Sequence, residues 1–278
     1  MAVLPIVISA GAAAAATISP FQSTARPQGS EIAGPVQLAG SDDRAATFQQ
    51  EVLPTMFDAA RQDLGENQVV DDLGALALDT SRMVVSDVVV PRIYFVWEGA
   101  GFHNSLLAQV IRADGTVEDE SIIFPDASSA ASWWGGYREN GGRSASTPLL
   151  AGDFVDLDHQ LNPGDRLTLQ LLANGANGGS SLFSTDPSRN VDGLDQHVVG
   201  LLSSAPSAKG FVLMGFEDLW GGSDQDYNDV ILAVDFGEAN TRAFEAQQIP
   251  GVPLPLPAAS LVAAIGLLAA IRRRSARG

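Results

Sequence analysis

Five carboxylates and one asparagine amide fall within thirteen residues toward the C-terminal end of the chain: Glu217, Asp218, Asp224, Asp226, Asn228 and Asp229. Acids close one apolar run, Gly221-Gly222 turns the chain, and acids open the next run. Carboxylates packed this tightly repel one another, and each proton they hold reduces that repulsion. A hard cation relieves it more fully. Ca²⁺ accepts mixtures of carboxylate, amide and backbone oxygens, so these six residues are expected to bind calcium. Asp192 and Asp195 are expected to join the site if the fold brings them near Asp226, and Glu98 and Asn104 are further candidates. Asp224-x-Asp226-x-Asn228 matches the first half of a helix-loop-helix calcium loop, but Asp229 stands where that loop needs Gly, and the flanks read as strands. The motif is therefore rejected and only its ligand logic is kept. The competing reading is an acidic turn whose carboxylates accept backbone N–H groups.

Catalytic constellations are sparse. The chain has no cysteine, which excludes disulfides, zinc–thiolate sites and thiol nucleophiles. Its three histidines are His103, His159 and His197, with neither a His-Glu-x-x-His motif nor a Gly-x-Ser-x-Gly elbow. Asp195-x-His197 would suit a triad or a metal site but reads more simply as a polar strand edge. Glu217 and Asp226 form an acid/base pair that would suit a glycoside or other hydrolase, but spacing in sequence sets no carboxylate separation. A non-enzymatic role is the expectation. Trp133, Trp134 and Tyr137 lie in a Gly- and Ser-rich stretch and would suit a carbohydrate-binding module, or a lid over the core.

These side chains need a scaffold. Of 278 residues, 45% are hydrophobic and only 18% charged, and Gly and Pro together number 43. Short apolar runs between turn residues predict an all-β, jelly-roll-like β-sandwich of about eight or nine strands. The candidate strands are 83–90, 92–97, 106–111, 122–124, 153–157, 167–172, 197–202, 211–216 and 230–236. Ser41 to Gly65 is expected to hold a short helix capped by Ser41 or Asp42. Phe48, Val52, Phe57 and Ala60 recur at near-helical spacing, and Pro54 is expected to kink it. The formal net charge is −17, and four arginines sit in the last seven residues, so the rest of the chain stands at −21. Such a body repels phosphates, and no nucleic-acid partner is expected.

Four stretches resemble, in order, a bacterial extracellular family known as domain of unknown function 4114. They are Glu98-Gly99-Ala100-Gly101-Phe102-His103-Asn104-Ser105-Leu106, Leu171-Leu172-Ala173-Asn174-Gly175, Asn190-Val191-Asp192-Gly193-Leu194-Asp195-Gln196-His197, and the acidic run from Gly215 to Asp229. In the third, Val191 replaces a Pro and one extra residue precedes His197. The resemblance covers roughly Val84 to Phe236. It implies an extracellular location and no defined activity.

The ends read as export signals. Residues 1–16 are expected to be a signal peptide cut after Ala14-Ala15-Ala16, although no Lys or Arg precedes the apolar run. Val252 to Ile271 is an uncharged stretch of 20 residues followed by Arg272, Arg273, Arg274 and Arg277. That length suits a transmembrane helix with its arginines on the cytoplasmic side. Val252-Pro253-Leu254-Pro255, the apolar stretch and the arginines together resemble a VPLPA-CTERM sorting signal of Gram-negative bacteria. Leu256-Pro257-Ala258-Ala259 departs from its immediate Ala. The resemblance implies a processing enzyme in the inner membrane as partner, and a mature protein at the cell surface or in the medium. There a surface glycan or protein is the expected partner, in adhesion or a structural role. The resulting organisation is a signal peptide (1–16), a linker with a helix (17–75), the sandwich (76–240), a linker (241–251) and the sorting segment (252–278).

Overall fold

A computed structural model describes residues 15–65, 78–130, 142–190, 197–203, 205–219 and 224–248. The expected signal peptide up to residue 14 and the sorting segment lie outside them. Among the described residues no helix is long and apolar enough to cross a membrane.

Among the described residues ten strands form two sheets of five. They are β1 (Glu31–Ile32), β2 (Arg92–Glu98), β3 (Ser105–Ile111), β4 (Ser121–Phe124), β5 (Phe154–Asp156), β6 (Arg166–Leu172), β7 (Leu182–Ser184), β8 (Val198–Leu202), β9 (Phe211–Phe216) and β10 (Val230–Asp235). One sheet runs β5-β2-β10-β9-β8 and the other β1-β4-β3-β6-β7. Every pairing is antiparallel except β1 with β4. The all-β sandwich is thus as expected, with β1 and β7 added. Both are two- or three-residue edge strands, too short to show a period of two. The expected strand over 83–90 is absent. That stretch makes only the isolated bridges Val84–Arg166 and Val89–Leu161. The Asn240 side chain replaces the ladder there, its Oδ1 accepting from the Ser86 and Asp87 amides at 2.9 and 2.8 Å.

The sandwich core follows strand alternation. Ile93 and Phe95 of β2, Val212, Met214 and Phe216 of β9, and Val230, Leu232 and Val234 of β10 meet Leu106, Ala108 and Val110 of β3 and Leu167, Leu169 and Leu171 of β6. The intervening Tyr94, Val96, Trp97, Leu213, Ile231 and Ala233 are also buried, in a second core. That core is roofed by the N-terminal helical segment, which comprises α1 (Asp43–Thr47), a π turn (Phe48–Val52) and α2 (Leu53–Asp63). Phe48, Val52, Leu53, Met56 and Ala60 form its buried stripe, and the Phe48 ring stacks on Tyr94 at 3.7 Å. The continuous apolar run of β2 is explained by this layer: the strand is buried on both faces.

The helix starts where expected, with the Asp42 carboxylate accepting from the Ala45 amide at 2.7 Å. Arg92 then forks between Asp42 and Asp156, with contacts of 2.7–2.9 Å, over the Phe154 ring. Pro54 lacks an N–H, and the irregularity it forces is a π turn in which the Leu53 amide reaches back to the Phe48 carbonyl. This moves the buried stripe from Phe57, which is partly exposed, onto Met56. Beyond the sandwich, α3 (Glu238–Gln248) occupies most of the stretch expected as linker. Phe244 anchors it against Phe236.

Candidate metal centre

The acidic run is the connection between β9 and β10. Phe216 pairs with Val230, so Glu217 and Asp229 leave the last rung of the ladder side by side. Glu217 is held from both directions. Its amide donates to the His197 carbonyl at 2.9 Å, and its Oε1 accepts from the Tyr227 amide at 2.7 Å. Gln225 and Tyr227 both have left-handed backbones, with φ of 58° and 56°. Such residues cost free energy and persist only where the surroundings impose them. Tyr227 is held by burying its ring beneath the helix layer. The curl carries Asp224 and Asp226 to Glu217, and one carboxylate oxygen from each of the three lies within 4.8 Å of the other two. Glu217 and Asp226 are buried and Asp224 is exposed, so the group opens to solvent on one side.

The other expected ligands stand around this group without all joining it. Asp218 and Asp229 pair with each other, the Asp218 amide donating to Asp229 Oδ2 at 2.8 Å. Burial raises the pKa of both carboxyls. For Asp229 the neighbouring Asp218 charge adds to the rise, followed by Glu217 and Asp226. Asn228 supports rather than joins the group: its amide donates to Asp226 Oδ1 at 3.3 Å, and its Nδ2 donates to the Leu64 carbonyl at 3.4 Å. Asp192, Asp195, Trp133, Trp134 and Tyr137 lie outside the described residues.

Tertiary structure brings the two further candidates, Asn104 and Glu98, in from distant parts of the chain and adds groups beside them. Asn104 Nδ2 donates to Asp218 Oδ2 at 2.7 Å, while its Oδ1 accepts from the Asn174 amide at 2.9 Å. Glu98, at the end of β2, accepts from the Ser129 amide at 3.1 Å. Burial pushes the Glu98 carboxyl up to about 8, helped by the Asp126 and Asp218 charges. His103 Nδ1 lies 3.0 Å from Asp126 Oδ2 and 3.1 Å from Ser128 Oγ. Asp126 and Ser128 escaped sequence reasoning because neither sits in a recognisable spacing. The trio has the residue types of a hydrolase triad but not its geometry. A triad needs the carboxylate on one ring nitrogen and the hydroxyl on the other, whereas both reach Nδ1 here.

A cavity of about 380 Å³ opens over the group, lined by Gly99, Ala100, Gly101, Phe102, Glu217, Asp218, Leu219, Asp224, Asp226, Asn228 and Asp229. No Lys, Arg or His is among these lining residues. All the side-chain donor atoms offered are oxygens, apart from the Asn228 amide nitrogen, and that set suits a hard cation better than a soft one.

Fold and site together define a two-sheet β-sandwich with an acidic β-hairpin at one end. Residues 161–237, which span β6 through β10, match the family model described as a domain of unknown function (DUF4114). No curated protein and no solved structure matches the chain. The family match includes the acidic run and the Leu171–Gly175 stretch. The Glu98–Leu106 stretch precedes it, yet packs against both through Asn104.

Proposed function

We propose that the chain is an exported, calcium-binding, non-enzymatic module of the cell surface or extracellular matrix, with an adhesive or structural role. The observation that carries the calcium reading is the convergence of Glu217, Asp224 and Asp226 within 4.8 Å on the β9–β10 connection. Three carboxylates at that spacing are costly without a counter-ion, and among the described residues no cationic side chain lines their cavity. Calcium would be held by these three, with Asp218, Asn228 and Asp229 close by. The ion would link the two strand ends and act as a staple in a chain that has no cysteine. Both His103 contacts fall on one ring nitrogen, which supports a role without catalysis.

The test is calorimetric melting of the purified chain in calcium and in chelator. A ligand present at about 100 times its Kd stabilises by about 2.7 kcal/mol, so the melting temperature is expected to rise by several degrees with calcium. An unchanged transition would remove the calcium reading.

The export reading rests on the two ends of the sequence. The proposed route is insertion of Val252 to Ile271 in the inner membrane, removal of the tail by a processing enzyme, and delivery to the surface or medium.

A further inference from the structure

We propose that the acidic end of the sandwich is a calcium-dependent binding site for neutral sugars, in which a pyranose ring rests on Phe102 and presents vicinal hydroxyls to the ion. This rests on the calcium reading above and adds the ligand. The cavity volume of about 380 Å³ falls within the range of about 300–1,000 Å³ typical of small-molecule sites. One wall, Gly99-Ala100-Gly101, has almost no side chains. At Gly99 none fits, because a Cβ would lie 2.5 Å from the Trp97 ring and 2.9 Å from Asn228 Oδ1. Glu217, Asp218, Asp224, Asp226 and Asp229 bring carboxylates to the same lining. Among the described residues, two large apolar side chains stand at the rim, Phe102 at 39% and Leu219 at 45% exposure.

A neutral sugar matches this combination. Its C–H face packs on an aromatic ring, and its hydroxyls donate to carboxylates and coordinate a hard ion. Calcium takes six to eight oxygens. Three carboxylates, one of them exposed, leave positions for a pair of hydroxyls. Charge selects among sugars and against lipid. With −21 outside the arginine tail, the chain repels acidic glycans and anionic bilayers.

The experiment passes the full chain over immobilised mannan, galactan and dextran in calcium and in chelator, with a parallel calorimetric titration of calcium alone. Retention on at least one neutral polysaccharide is expected in calcium and not in chelator. Phe102→Ser is expected to lower retention at least tenfold while leaving the calcium titration unchanged, and Phe102→Tyr is expected to restore it. Calcium binding without retention on any neutral matrix overturns the sugar site and leaves the calcium reading standing. So does retention that Phe102→Ser does not reduce, retention that survives chelator, or a preference for anionic vesicles. A calcium titration without heat or saturation removes both.

Discussion

Glu217, Asp224 and Asp226 are the side chains on which the calcium reading depends, and each is testable alone. Glu217→Gln and Asp226→Asn keep shape and remove charge. Losing a ligand is expected to cost more than the about 10–100-fold in affinity that a supporting residue is worth, as read by calcium titration. Gly215 shows how tightly the backbone is drawn here, since a Cβ would sit 2.3 Å from the Tyr227 carbonyl. Gly215→Ala is expected to destabilise by about 1–3 kcal/mol and to shrink the calcium-induced shift in melting. Proton linkage supplies another test. Glu98 titrates near 8 in the fold instead of near its ordinary 4.5, and Asp229 is raised as well. The folded state therefore binds more protons than the unfolded state between those limits, and stability falls as pH rises through them. Asp42 and Asp165 are shifted downward instead, so their effect is confined to more acid conditions. Calcium-free protein is expected to melt higher at pH 5.5 than at pH 8, with calcium narrowing the gap. A melting temperature that climbs across this window without calcium would contradict the burial of these acids.

At the scale of elements, the helical segment is part of the fold rather than a solvated appendage. It closes the outer face of the β5-β2-β10-β9-β8 sheet, and through Leu64 it reaches the Asn228 amide of the hairpin. Phe48→Ala is expected to cost about 3–5 kcal/mol in denaturant unfolding, because the ring stacks on Tyr94 with no exposed edge. Asp42→Ala removes a helix cap and one of the two carboxylates that hold Arg92. The expected loss is about 1–3 kcal/mol, and a loss confined to a few tenths would mean that the cap and ion pair are not coupled to global unfolding. Register is the other element-level device. Phe216 opposite Val230 places the acids at the strand ends, where a one-residue slip would turn every side chain to the wrong face.

At the scale of the molecule, acidity and the two ends govern behaviour. Self-repulsion in a body at −21 is screened by salt, so calcium-free protein is expected to gain stability between low and physiological ionic strength. Intact-mass measurement on protein recovered from the medium or cell surface tests the export route. The expected mass lacks Arg272 to Arg277. Full-length protein retained in the inner membrane would make the tail a permanent anchor instead.

Local chemistry is what the sequence determined by itself. Short apolar runs with turn residues between them specify β-strands and a sandwich because run length and turn chemistry are local properties of the chain. The acidic run was legible because its members lie within thirteen residues. Asp42 was legible as a cap because capping involves neighbours only. Tertiary structure alone decided which acids converge and which merely surround them. It separated the Glu217, Asp224 and Asp226 group from the Asp218–Asp229 pair, and it placed Asn104 and Glu98, candidates already in the sequence, around Asp218 from more than a hundred residues away in the chain. It also gave the unbroken apolar run of β2 a second buried face under the helix. Such contacts depend on strand order and on which side of a sheet a segment returns to, and no spacing along the chain encodes either.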